Sequence, residues 1–221
     1  MNLPMSQQSD SNQQPGQQPL AAAPGGPAAL RNREPILAAL RPHLPDRGLV
    51  LEIASGAGLH ATFIAAAVPR LQWQPTDQDA EAVTRIAAAR AQAGLPNLLA
   101  PLRLDAADPD AWPVSRADAI VNINMIHISP WAATEGLMTG AGRVLRAGGI
   151  LFLYGPYFEP GTETTESNLA FDRDLKARNP AWGLRDLDEV KALAARNRLG
   201  FAGRVAMPSN NLAVIFRKAA D

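Results

Sequence analysis

Residues 49–61 of the chain read LVLEIASGAGLHA. Residues 49–54 are almost all apolar, which is typical of a parallel β-strand buried on both faces. Gly56 and Gly58 follow at the point where this strand would turn into a helix, and glycine permits the tight turn required there. Backbone N–H groups at the start of a helix can bind a polar ligand. The segment therefore predicts a strand, a turn and a helix, with a ligand site at the turn.

Strand-like and helix-like segments alternate on both sides of this turn. We expect strands over residues 49–54, 71–75, 98–104, 119–125 and 150–154, and helices over 31–44, from Leu59, from Asp79, over 131–146 and from Asp186. Two last strand-like runs, 201–207 and 211–217, have no helix between them and predict an antiparallel hairpin. This pattern predicts an α/β fold with a doubly wound, mostly parallel, seven-stranded sheet, because a barrel would need eight strand and helix pairs.

The composition changes near residue 28. Residues 1–27 are rich in Gln, Pro, Gly and Ala, a composition that buries too little apolar surface to offset the entropy lost on ordering. We therefore predict a disordered leader over residues 1–27 and a single domain over residues 28–221.

Charge and composition exclude several kinds of site. Lysine and arginine (21 residues) balance aspartate and glutamate (21 residues), which disfavours binding to nucleic acid. The absence of cysteine excludes disulfides and thiol nucleophiles, and three histidines do not favour a metal site. No apolar stretch approaches the roughly 20 residues that a membrane span needs. We expect a cytoplasmic protein without a metal.

Acidic residues around the turn indicate which cofactor it binds. Glu52 precedes Gly56 by four residues and Asp77 ends the second strand, where its carboxylate can accept hydrogen bonds from ribose; both features favour S-adenosylmethionine (SAM). Gly56, Gly58 and Ala61 also spell the G-x-G-x-x-A pattern of dinucleotide sites, which leaves a nicotinamide cofactor as an alternative. The residues predicted to bind the cofactor are Arg31, Asn32, Glu52, Ala54, Ser55, Gly56, Gly58, Asp77, Asp105 and Asn122.

The roles of Asp105 and Arg31 rest on position. Asp105 follows the third strand, where it can face the adenine amino group or cap a turn. Arg31 precedes Asn32 in the first helix and offers a forked partner to the cofactor carboxylate, although an exposed helix start is the alternative.

Polar residues after the fourth and fifth strands are candidates for the methyl-transfer site. Asn122 and Asn124 alternate within the predicted fourth strand and so should point to the same side. His127 follows and can accept a proton near neutral pH, or its ring can hydrogen-bond to backbone and shape the loop. Tyr157 lies just after the fifth strand and can line the acceptor pocket. We therefore predict His127, Asn124 and Tyr157 as the catalytic residues.

From about residue 28 to residue 218 the chain resembles a methyltransferase-like family catalogued as domain of unknown function 938, which includes the animal methyltransferase-like protein 26. The segments that carry the resemblance occur in order as RNREPIL, VLEIASGAGLHA, WQPTD, NINMIHISPW, LYGPY, SNLAFD, AWGLRD and MPSNNL. The resemblance implies SAM binding and a class I methyltransferase fold, but it assigns no acceptor.

The sequence leaves three functional hypotheses. The first is a class I SAM-dependent methyltransferase that acts on a small molecule. The second is an NAD(P)-dependent oxidoreductase, and the third is a SAM-binding protein without catalytic activity. A nucleic-acid methyltransferase is disfavoured because no Asn-Pro-Pro-Tyr motif follows the fourth strand.

Overall fold

The computed structural model describes residues 26–220, and most of the predicted leader lies outside the described residues. The first helix begins at Gly26, two residues before the predicted domain boundary at residue 28. Of the helices within residues 26–220, none is both long and apolar enough to cross a membrane.

Helices and strands alternate through most of the chain. The helices are α1 (Gly26–Leu40), α2 (Leu59–Ala67), α3 (Ala80–Ala93), α4 (Trp131–Val144), α5 (Glu166–Arg178) and α6 (Leu187–Arg196). The strands are β1 (Gly48–Ile53), β2 (Leu71–Asp77), β3 (Leu102–Arg103), β4 (Ala117–Ile123), β5 (Leu145–Gly155), β6 (Tyr157–Phe158), β7 (Arg185–Asp186), β8 (Leu199–Met207) and β9 (Asn211–Lys218).

Seven of these strands form one sheet in the order β3-β2-β1-β4-β5-β9-β8. The pairs from β3 to β5 are parallel, whereas β9 runs antiparallel to both of its neighbours. This arrangement confirms the predicted α/β fold with a C-terminal antiparallel hairpin. The strand order reverses direction between β1 and β4, and ligands of such sheets bind outside the carboxyl ends of the strands at that point.

Apolar side chains of the central strands are buried on both faces of the sheet. Val50 packs in a core with Ile64 of α2, on the face that also holds α1. Its neighbour Leu51 packs in the opposite core with Leu137 of α4. Successive side chains of a strand point to opposite faces, so one apolar run fills both cores. The predicted burial of this strand on both faces is confirmed.

Side-chain caps fix the starts of two helices where the sequence predicts them. The carboxylate of Asp79 accepts hydrogen bonds from the backbone N–H groups of Glu81 (3.1 Å) and Ala82 (3.2 Å) at the start of α3. Asp186 does the same for Asp188 and Glu189 at the start of α6. These bonds satisfy N–H groups that have no partner within the helix.

Several elements differ from the prediction. Helix α1 covers Gly26–Leu40 instead of residues 31–44, and the short strands β6 and β7 were not predicted. β3 covers Leu102–Arg103 instead of residues 98–104, because Pro101 cannot donate a backbone hydrogen bond to a neighbouring strand. β4 ends at Ile123, two residues early. β5 begins at Leu145 and continues through the glycine pair that was expected to precede it. Helix α5 was not predicted.

Candidate functional site

The turn after β1 has the backbone conformation that its glycines allow. Gly56 and Gly58 have φ angles of 61° and 75°, in the left-handed region that favours glycine. A Cβ atom added at Gly56 would meet no described heavy atom within 4 Å, so one side of the turn is open. The N–H of Gly58 donates to the carbonyl of Ser55 at 2.9 Å and closes the turn. A ligand can therefore approach the backbone at Gly56.

Asp77 connects the end of β2 to this turn. Its Oδ2 accepts a hydrogen bond from the N–H of Gly56 at 2.9 Å, and its Oδ1 accepts one from the N–H of Asp79 at 3.1 Å. The side chain is largely buried, with a residue exposure of 8%. A carboxylate offers about four acceptor positions, so Asp77 retains capacity for a ligand hydroxyl.

A cavity of about 510 Å³, here called the Asp77 cavity, opens beside the turn. Gly56, Asp77 and Asp105 contribute its polar wall, and Met125 with Ile128 contributes part of its apolar wall. Asp105 also accepts a hydrogen bond from the N–H of Ala107 at 2.8 Å, so it stabilises a turn while it faces the cavity. Apolar walls that flank two acidic groups fit the flat base and the hydroxyls of a nucleoside.

A second cavity of about 700 Å³, here called the Asn124 cavity, lies where β4 and β5 end. Its lining comes from α1, α5, the two strand ends and the turn between β8 and β9. The polar members of the lining are Arg31, Asn32, Asn124, Tyr154, Ser167, Asn168, Ser209 and Asn211, and Phe171 provides an aromatic surface. Three residues of the predicted site, Arg31, Asn32 and Asn124, therefore line the same cavity.

A chain of hydrogen bonds fixes one wall of the Asn124 cavity. Nε2 of His60 lies 2.9 Å from Oδ1 of Asn32. The side chain of Asn32 also forms a hydrogen bond with Tyr154. Burial and the charge of Arg33 lower the pKa of His60 to about 4, so the ring is neutral at pH 7. Because an amide oxygen only accepts, His60 donates through Nε2, and the Asn32 amide N–H is left to donate to Tyr154.

Glu52 lies beneath the turn. It is 2% exposed, and its Oε2 accepts a hydrogen bond from Nε1 of Trp73 at 2.5 Å. Burial, and to a lesser extent the charge of Asp77, raises the pKa of Glu52 to about 7, although the hydrogen bonds from Trp73 and Ser55 act to lower it. Since Glu52 lines neither cavity, its geometry fits support of the turn better than direct ligand contact.

Glu52→Gln is expected to alter how stability depends on pH. The folded protein retains the proton of Glu52 between its unfolded pKa of about 4.5 and its folded pKa of about 7, so the free energy of unfolding falls as pH rises across this window. The slope reaches about 1.4 kcal/mol per pH unit, and the Glu52→Gln variant should lack it because an amide does not titrate. Urea unfolding of both proteins at pH 5, 6 and 7 measures the difference; parallel pH profiles would contradict it.

The asparagines of the fourth strand do not share one face, which corrects the prediction. Asn122 is fully buried and donates from Nδ2 to the carbonyl of Ile53 at 3.1 Å. Asn124 follows the strand with φ of 65°, a left-handed conformation that asparagine tolerates better than most residues, and lines the Asn124 cavity. Asn122 therefore joins β4 to β1, and Asn124 alone faces the cavity.

His127 and Tyr157 are brought together, but away from both cavities. Their rings form an edge contact with centroids 5.0 Å apart, and His127 is completely buried. Burial, with the charge of Arg185, lowers the pKa of His127 to about 3 despite an opposing backbone interaction at Gly183. Burial also raises the pKa of Tyr157, whose hydroxyl finds no hydrogen-bond partner in the described part of the chain. In this conformation neither group reaches an acceptor as a proton carrier.

Arg185 positions the segment after β4, a role that the sequence did not reveal. Its guanidinium donates to the carbonyls of Ile126 (2.8 Å), Ser129 (2.6 Å) and Ala181 (3.1 Å) and lies over the ring of Trp131. These contacts hold the segment that supplies one wall of the Asp77 cavity. The bonds to Ile126 and Ser129 join Arg185 to a segment 56 to 59 residues earlier in the chain, so they depend on the tertiary fold and leave no local pattern.

Across residues 26–220, no three acidic or histidine side chains lie close enough to hold a metal ion. The described polar side chains that line the two cavities carry carboxylates, amides, hydroxyls and one guanidinium.

Several solved structures share this fold. A candidate sarcosine dimethylglycine methyltransferase from Galdieria sulphuraria has a TM-score of 0.70 at 15% identity, covering 86% of each chain. The mitomycin 7-O-methyltransferase MmcR has a TM-score of 0.74 at 15% identity, covering 88% of this chain and 55% of that one. CalO1, a methyltransferase of calicheamicin biosynthesis with S-adenosylhomocysteine (SAH) bound, has a TM-score of 0.68 at 19% identity, covering 88% and 56%. The predicted class I methyltransferase fold is confirmed.

The sequence itself matches one family over nearly all of the described residues. The family model, whose description is "Protein of unknown function (DUF938)", matches residues 23–218. This range holds the turn after β1, both cavities and the C-terminal hairpin. The chain therefore belongs to this family, as its ordered sequence segments predicted.

Proposed function

We propose that the chain is a SAM-dependent methyltransferase that transfers a methyl group to a small-molecule acceptor. The observation that carries this proposal is the pair of cavities at the carboxyl ends of neighbouring strands, one lined by two acids and the other by amides and hydroxyls. The fold and the family membership support it. Kinship with methyltransferase-like protein 26 and a cytoplasmic location are parts of the same proposal.

In this proposal the Asp77 cavity holds the nucleoside end of the cofactor. Asp77 accepts hydrogen bonds from the ribose hydroxyls, and Asp105 accepts one from the adenine amino group. The backbone from Ala54 to Gly58 lies against the cofactor, because the turn is open at Gly56. Arg31 and Asn32 reach its amino-acid end from α1, whereas Glu52, Ser55 and Asn122 hold the turn and the strand ends in place.

The bound cofactor would supply a methyl group on a positively charged sulfur. The protein's part is to align the acceptor and exclude water, since methyl transfer gains most from orientation. Asn124 and Tyr154 face the Asn124 cavity and can orient the acceptor through hydrogen bonds. His127 and Tyr157 support the strand end behind it instead of contacting the acceptor.

Strand topology disfavours the nicotinamide alternative. Dinucleotide-binding sheets of the doubly wound type continue with a parallel sixth strand beside the fifth. In this chain β9 lies beside β5 and runs antiparallel to it. The G-x-G-x-x-A motif at Gly56, Gly58 and Ala61 is therefore not accompanied by the strand arrangement of a dinucleotide-binding sheet.

Calorimetry with SAM, SAH and NAD⁺ tests the proposed function. We expect SAM and SAH to bind with dissociation constants in the micromolar range and NAD⁺ not to bind. Folded protein that binds neither SAM nor SAH would overturn the proposal. Binding without transfer of label from methyl-labelled SAM to any small molecule of a cell extract would indicate the non-catalytic alternative.

A further inference from the structure

The Asn124 cavity offers no group that readily accepts a proton at neutral pH. Among residues 26–220, its lining contains one charged side chain, Arg31, and no aspartate, glutamate, histidine or lysine. Its phenol, Tyr154, stays protonated at neutral pH because burial raises its pKa further, so it is not available to accept a proton. A hydroxyl or ammonium acceptor bound here would have to lose its proton without help from the lining.

Two histidines and two carboxylates lie near this lining, and none of them belongs to the lining itself. His60 faces Asn32, to which its Nε2 is bonded, and His127 is sealed behind the strand end. Glu159 and Glu163 line an adjoining cavity of about 260 Å³, which shares Asn168 and Asn211 with the Asn124 cavity, and there the carboxylate of Glu159 pairs with Arg204. Neither histidine therefore serves as a base in the Asn124 cavity.

Charge also favours one kind of acceptor. Arg31 contributes a charge of +1, and SAM is net positive because its sulfonium is added to a balanced ammonium and carboxylate. Arg31 and SAM together therefore stay positive even with Arg31 beside the cofactor carboxylate, so an anion is attracted and a cation is repelled. Within the part of the chain that the structure describes, the lining has no carboxylate that could hold an ammonium group. Phe171, 40% exposed, presents an apolar surface on which the body of an acceptor can pack.

We propose that the acceptor is a small carboxylic acid, bound as its anion in the Asn124 cavity and methylated on a carboxylate oxygen. The inference rests on the proposed function. An electron pair of the carboxylate oxygen forms the new O–CH₃ bond while the S–CH₃ bond breaks and its pair returns to sulfur. The products are a methyl ester and SAH, the two opposite charges disappear together, and no proton is released.

Binding of benzoate to protein saturated with SAH is the first test. Benzoate carries a carboxylate and a ring suited to Phe171, while benzamide and benzylamine are matched neutral and cationic probes. By calorimetry we expect benzoate to bind at least about tenfold more tightly than benzamide, and benzylamine more weakly than either. Equal affinities, or a preference for benzylamine, would overturn the inference. Saturation with SAH is verified beforehand, so failure of the proposed function is detected separately.

Ser167 allows the charge of the lining to be changed without disturbing the core. It is exposed in the first turn of α5, where a negative charge is compatible with the helix. Ser167→Asp should bind benzoate about fivefold or more weakly than its neutral isostere Ser167→Asn. An equal effect of both variants would contradict an anionic ligand.

The chemical stability of the product gives an independent readout. When the protein labels an acidic fraction of cell metabolites from methyl-labelled SAM, mild alkali should release the label as methanol, because esters hydrolyse and ethers or methylamines do not. A label that survives alkali would overturn the carboxylate assignment and leave the proposed methyltransferase function intact.

Discussion

Asp77→Ala is expected to weaken SAM binding by about 1 to 3 kcal/mol, or roughly 5- to 150-fold in the dissociation constant. The carboxylate contributes in two ways. It would accept hydrogen bonds from the ribose, and it already accepts the N–H of Gly56 at 2.9 Å, which orients the turn. Alanine removes both contributions, because a methyl group accepts no hydrogen bond. Calorimetric titration of each protein with SAM measures the change.

Asp77→Asn separates the two contributions. An asparagine oxygen can still accept the N–H of Gly56, so the turn should persist while the charged acceptor is lost. We expect an affinity between those of the wild type and Asp77→Ala, with circular dichroism confirming that both variants fold. If Asp77→Ala binds SAM as tightly as the wild type, Asp77 does not contact the ribose.

Local signals in the sequence accounted for most of the fold. An N-cap bond forms within a few residues, so Asp79 and Asp186 could be read directly as helix starts. The apolar run of β1 and the glycines after it likewise depend on the immediate backbone. The hairpin of β8 and β9 followed from two strand-like runs without a helix between them.

Helix α5 escaped prediction because its buried stripe is mostly polar. Asn168, Asp172 and Leu175 are the buried residues of this helix, and their spacing fits one helical face. An asparagine and an aspartate in this stripe remove the apolar periodicity by which a helix is normally recognised. Their partners, the carbonyl of Asn210 and the N–H of Leu184, come from other segments and cannot be inferred locally.

Of the candidate site, the parts on the glycine turn were predictable and the parts set by packing were not. Gly56, Asp77 and Asp105 line one cavity because they end adjacent parallel strands or follow them directly. The burial of His127 depends on Tyr157 and on Arg185, which come from later segments. A sequence shows that a histidine follows a strand, but not whether later segments will cover it.

Gly136→Ala is expected to lower the free energy of unfolding by about 1 to 2 kcal/mol. A Cβ atom at Gly136 of α4 would lie 2.1 Å from the carbonyl oxygen of Ala106 and 2.9 Å from Cα of Ala107. Both are backbone atoms, so the helix or the adjoining segment must move, and such overpacking costs about 1 to 3 kcal/mol. A cost at the upper end of this range, less the roughly 1 kcal/mol that alanine gains over glycine within a helix, leaves the expected net loss of about 1 to 2 kcal/mol.

Thr139→Ala is the matched control, because Thr139 is exposed on the same helix. It should change stability by less than about 0.5 kcal/mol, as measured by urea unfolding alongside Gly136→Ala. Since Ala106 and Ala107 line the Asp77 cavity, Gly136→Ala should also weaken SAM binding, whereas Thr139→Ala should not. A Gly136→Ala protein as stable as the wild type would mean that α4 does not pack directly against the segment after β3, and the wall of the Asp77 cavity would then need another support.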